Sequence, residues 1–72
     1  MNAQIYGMNT GTVKFYNQKS KFGFIVVDAD EREIYVRKSG LVDVVEEGDR
    51  VECDIEAGKK GPEAMNVRKI QA

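Results

Sequence analysis

From Arg50 to Glu56 the chain alternates without a break. Val51, Cys53 and Ile55 are apolar, and Arg50, Glu52, Asp54 and Glu56 are charged. Successive side chains of a strand point to opposite faces, so this run predicts a strand with one buried side and one solvated side. A chain of 72 residues makes a single domain with a single core, near the lower limit for folding without disulfides or metal. Other strands must therefore place their apolar sides against the same core.

Four further runs carry a period of two, and no window sustains helical periodicity over three turns. They are 11–17, with Val13 inward; 22–27; 33–37, with Ile34 and Val36 on one side and Tyr35 and Arg37 on the other; and 64–70. Polar or glycine-rich turns separate them at 17–20, 28–32 and 57–62. The segment 39–47 is the longest connection. It has room for a helical turn, which Gly40 and the β-branched Val42, Val44 and Val45 disfavour. Five short strands with one core predict an all-β, closed or nearly closed five-stranded antiparallel barrel, an architecture that protects strand edges.

Phe22-Gly23-Phe24-Ile25 departs from ordinary alternation, because both faces of this run are apolar. Phe22 and Phe24 share one side, Ile25 and Val27 the other. On this stretch alone either pair can be the inward one. The neighbouring runs decide: Ile34 and Val36 pair naturally with Ile25 and Val27, which leaves Phe22, Phe24, Tyr35 and Arg37 together on the outer face. Exposed rings are costly unless something stacks on them, and a nucleobase does so at about 1–3 kcal/mol per base.

The net charge is −1, but its distribution is uneven. Residues 1–27 contain Lys14, Lys19 and Lys21 and no acid, whereas 43–56 contain seven acids against Arg50 alone. The rings thus lie in the basic part of a polarised chain, and the acidic stretch reads as a solvated face and loop. Cys53 is the single cysteine, so no internal disulfide or thiolate metal site is available and a cytoplasmic, reducing setting is expected. No signal-peptide core or membrane-length apolar run is present. Residues 1–9 read as a flexible leader to a domain spanning 10–72, and Met8 is compatible with an alternative start or a cloning remnant.

An enzyme is not expected. The chain lacks histidine, and Cys53 falls at an inward strand position as a small core residue. Asp28 and Asp30 do not continue into a calcium-loop spacing, so a hairpin tip is the plainer reading and neither a metal nor a cofactor is expected.

Thr12-Val13-Lys14-Phe15-Tyr16-Asn17, Lys21-Phe22-Gly23-Phe24-Ile25, Glu33-Ile34-Tyr35-Val36-Arg37, 46–51 and 61–67 resemble, in this order, five segments of the cold shock domain. That domain is an oligonucleotide-binding (OB-fold) barrel, and the second and third segments look like its two ribonucleoprotein motifs. The resemblance runs from about Gly11 to Ile70. It implies binding of single-stranded RNA or DNA with low sequence selectivity, often as an RNA chaperone. Phe22, Phe24 and Tyr35 would be stacking platforms. Phe15 stands at the family's tryptophan and Tyr16 at its phenylalanine. Simple alternation sends Phe15 inward with Val13, so an exposed Phe15 requires a strand irregularity. Lys14 would meet a phosphate, and Lys59 and Lys60 would flank the strand's path.

Some positions depart from the family pattern. Arg37 and Lys38 replace a histidine and an aromatic; arginine can stack on a base and contact phosphate, but Lys38 cannot replace a ring. Ser20-Lys21 stands where the family has lysine-glycine, and the 39–47 loop is short and lacks an aromatic. Fewer rings and more cations shift binding toward electrostatics. The expected function is therefore a monomeric single-stranded nucleic-acid-binding module, without membrane association and with a chaperone, translation or transcription role. Two other readings are a barrel that docks a protein partner on its aromatic face, and another small RNA-binding barrel resembling the S1 domain.

Overall fold

The five expected strands form, and they close on one another. In a computed structural model, which describes residues 5–58 and 61–70 with side chains from Asn9 onward, they are β1 (Ile5–Asn17), β2 (Phe22–Val27), β3 (Glu33–Arg37), β4 (Arg50–Gly58) and β5 (Gly61–Lys69). The barrel order is β1-β2-β3-β5-β4, with β4 returning to β1. Every pairing is antiparallel except β3 with β5, which run parallel through Tyr35↔Glu63 and Val36↔Ala64.

β1 starts at Ile5, six positions before the strand expected from Gly11. Its first part pairs with β4, through Ile5↔Glu56 and Tyr6↔Ile55, and its second part with β2. Gly11 sits where both partners meet it, opposite Val27 on β2 and Val51 on β4. A β-carbon there would collide with the carbonyl oxygen of Val26 and lie 2.9 Å from Ile25 Cγ2, so glycine lets the strand bend and serve both neighbours. Residues 1–4 of the expected leader, together with Lys59 and Lys60, lie outside the described residues.

Val13, Ile25, Val27, Ile34, Val36, Val51, Cys53 and Ile55, the residues that alternation sends inward, are all buried. Ala64, Val67 and Val45 complete the core. Val45 comes from the long connection, which begins with a 3-10 turn at Lys38–Gly40 and crosses one end of the barrel. Its course is fixed by hydrogen bonds to strand backbone: Val42 N–H donates to Val67 O at 2.8 Å, Gly48 N–H to Val13 O at 2.7 Å, and Val13 N–H to Asp49 O at 2.9 Å. Val45 is thereby fully buried while its neighbour Val44 stays 72% exposed.

Among the described residues no polar or charged side chain is buried. Asp28, at the β2–β3 hairpin, accepts two hydrogen bonds from Arg50, Nη1 to Oδ1 at 2.8 Å and Nη2 to Oδ2 at 2.7 Å, and a third from Thr10 Oγ1 at 2.8 Å. The guanidinium, and after it the hydroxyl, hold this carboxyl at about 2, below its ordinary 3.8. Burial, reinforced by the charge of Asp54, pushes the Cys53 thiol up to about 11, so it stays protonated at neutral pH and acts as a small apolar side chain.

Candidate nucleic-acid interface

Phe22 and Phe24 lie on the outer face of β2, and Tyr35 faces them from β3 through the Phe24↔Tyr35 register. The ring centroids are 6.4 Å apart for Phe22 and Phe24, 5.9 Å for Phe22 and Tyr35, and 5.8 Å for Phe24 and Tyr35. Phe15 adds a fourth ring 6.1 Å from Phe22. Phe22 touches all three others and is the hub. Three of the four contacts are edge-on, which stabilises the cluster while leaving ring faces open to water.

Phe15 reaches this face through the irregularity that its exposure requires. The β1–β2 register shifts between Val13 and Phe15, so Lys14 is the extra residue of a bulge and Phe15 turns outward, 39% exposed. The glycine between the phenylalanines accommodates the bulge. A β-carbon on Gly23 would overlap the carbonyl oxygen of Phe15 and lie 2.8 Å from Tyr16 Cα. The bulge also sends Tyr16 to the other side, where it packs against the core and joins none of the ring pairs.

Two of the expected phosphate ligands are held by acids. Lys14 Nζ lies 2.6 Å from Glu33 Oε2, and Arg37 Nε lies 3.0 Å from Glu63 Oε2. The Lys14–Glu33 pair is exposed on both sides and contributes about 0–1 kcal/mol, so a phosphate can compete for Lys14, whereas Glu63 is largely covered. Glu33 was readable in the sequence as the outward residue two before Tyr35. Glu63 was not, because the parallel β3–β5 pairing joins segments far apart in the chain.

Lys19, Lys21 and Lys38 have no ion pair among the described residues. The main chains of Lys21 and Lys38 are neighbours where β2 begins and β3 ends, since Lys38 N–H donates to Lys21 O at 3.0 Å. The turn before β2 is built on Asn17, whose Oδ1 accepts from the N–H groups of Lys19 and Ser20 at 2.8 and 2.9 Å. Lys21 leaves that turn with φ of 65°, a left-handed conformation that suits glycine. A lysine thus occupies a backbone position that costs about 1–2 kcal/mol for an L-residue, adjacent in sequence to the hub ring.

The closed barrel with this surface defines a small oligonucleotide-binding-type domain. The model of the 'Cold-shock' DNA-binding domain matches residues 9–70. Cold shock-like protein CspA of Stigmatella aurantiaca is 37% identical over 67 residues, covering 88% of this chain and 98% of that protein. Cold shock protein CspA of Staphylococcus aureus is 39% identical, covering 88% of this chain and 100% of that protein. Cold shock-like protein CspLB of Listeria monocytogenes is 37% identical with the same two coverages. The chain belongs to the cold shock domain family, whose members bind nucleic acid rather than catalyse a reaction. A solved structure of a CusF variant with Cu(II) from Escherichia coli superposes with a TM-score of 0.68 at 18% identity, over 99% of this chain and 98% of that one. That likeness concerns the fold alone. Among the described residues no group of three or more potential ligand side chains gathers as a metal site, and no helix is long and apolar enough to cross a membrane.

Proposed function

We propose that this protein binds single-stranded nucleic acid, RNA in preference, with little sequence selectivity, and acts on RNA structure as a chaperone or in translation or transcription. The observation that carries this reading is the continuous cluster of Phe15, Phe22, Phe24 and Tyr35 on a solvated face, with the unpaired Lys21 and Lys38 at its corner. Unpaired bases stack on the rings at about 1–3 kcal/mol each, and the cations neutralise the backbone. Capturing open strands shifts hairpins toward the unpaired state without ATP, because only the open state gains the stacking energy. The single buried thiol accords with action in the cytoplasm.

The test is a fluorescence-anisotropy titration of a short labelled pyrimidine-rich strand across a range of salt. At about 0.7 per neutralised phosphate, the log–log slope is about −1.4 if Lys21 and Lys38 alone release counterions, and about −2.1 if Lys14 leaves its acid to join them. Absence of binding at low salt would overturn the proposal. The alternative, a protein partner docked on the rings, is favoured by Glu33 and Glu63, which cancel two cations at the platform's rim. It predicts binding to protein with a shallow salt response.

A further inference from the structure

Tyr35 has a second neighbourhood. Beyond its contacts with Phe22 and Phe24, it lines a cleft of about 480 Å³ between β3 and the β4–β5 hairpin, together with Arg37, Glu63, Pro62, Gly58 and Glu56, which faces Glu63 across the β4–β5 register. Glu63 is brought there by the Tyr35↔Glu63 pairing, and its side chain is only 15% exposed. Its Oε2 accepts from Arg37 Nε. Its Oε1 has no hydrogen-bond partner among the described residues and lies 3.2 Å from where a β-carbon on Gly58 would be, an approach that the glycine leaves open. The terminal Nη groups of Arg37 are likewise without an acceptor among the described residues. A free acceptor and a free donor thus belong to one ion pair, next to a stacking ring.

We propose that this cleft is a base-reading subsite in which Glu63 and Arg37 select a nucleobase bearing an exocyclic amine, cytosine over uracil. The inference rests on the nucleic-acid reading above. Glu56 and Glu63 outnumber Arg37 among the described lining residues and repel a phosphate, so what enters the cleft beyond Tyr35 is a base edge and not the backbone. Cytosine presents its N4 amine beside the N3 acceptor, which matches Oε1 of Glu63 beside the Nη groups of Arg37. Uracil's one edge donor, N3–H, is flanked by carbonyl oxygens on both sides, and either one is driven toward the carboxylate. The rings accept any base, so one base in a bound strand is discriminated while the others are not.

The experiment compares labelled cytidine and uridine heptamers at pH 7.5 and fixed salt, with wild type, Glu63→Gln and, as a control for lost negative charge, Glu52→Gln. Glu52 pairs with Arg68 at 3.8 Å on the β4–β5 wall. Wild type is expected to prefer cytidine by roughly three- to tenfold, the value of one net hydrogen bond in a half-enclosed site. Glu63→Gln should bring the ratio near unity, because an amide accepts or donates according to its orientation and serves either base. Glu52→Gln should leave the ratio intact. Equal affinities in wild type, or a preference that survives Glu63→Gln, would overturn the subsite while leaving single-strand binding in place. Failure to bind either heptamer would overturn both.

Discussion

On the wall formed by β4 and β5, Arg68 pairs with Glu52 at 3.8 Å and Asn66 with Asp54 at 2.8 Å, and Lys69 reaches Asp49, just before β4, at 3.6 Å. On the wall formed by β2 and β3, between the paired Glu33 and Arg37, the outward Phe22, Phe24 and Tyr35 touch one another and leave ring faces to water, with Lys21 and Lys38 unpaired at the strand ends. Both walls rest on the same core of branched aliphatics. The comparison separates two uses of a strand's outer face. One is satisfied within the molecule and contributes little beyond solubility; the other is left unsatisfied and is available to a ligand.

Lys21→Gly sharpens this contrast most within the fold itself. Removing the left-handed strain returns about 1–2 kcal/mol, while glycine's greater freedom in the unfolded chain takes back about 0.4–1 kcal/mol. Chemical denaturation should therefore show a net gain of about 0–1.6 kcal/mol, and the salt slope of strand binding should become shallower by about 0.7 as one cation is lost. A variant less stable than wild type by about 0.4–1 kcal/mol would mean that Lys21 sits in its turn without cost. A smaller effect is expected at acid pH, at the seam where Arg50 of β4 holds Asp28. The carboxyl is held at about 2 when folded and titrates near 3.8 when unfolded, so its contribution is complete above 3.8 and is lost as pH falls through 2. In Asp28→Asn this part of the acid limb should be missing from the stability profile; an unchanged limb would show that the pair contributes nothing.

Strand number, the inward set and the outward placement of Phe22, Phe24 and Tyr35 were legible because each follows from period two within a local run. Phe15 was legible only through the resemblance, since alternation sends it inward and the bulge that reverses it depends on a close approach to Gly23. That same bulge separates Tyr16 from the platform, which residue type alone gave no reason to expect. Val45 could not be read as core, because a connection has no periodicity and its burial is set by hydrogen bonds to distant strands. The acids that hold Lys14 and Arg37 divide in the same way: Glu33 follows from period two as an outward residue of β3, whereas Glu63 arrives through the one parallel pairing.

The central claim is that the ring wall, and not the charged wall, is the binding surface. Its most direct test is strand affinity in the Phe22→Ala/Phe24→Ala double variant, measured by anisotropy beside a thermal melt. Loss of two stacking platforms, at about 1–3 kcal/mol each, predicts a fall in affinity of at least about thirtyfold in a protein that still melts cooperatively. Undiminished binding by the folded double variant would contradict the account and move the site elsewhere on the barrel.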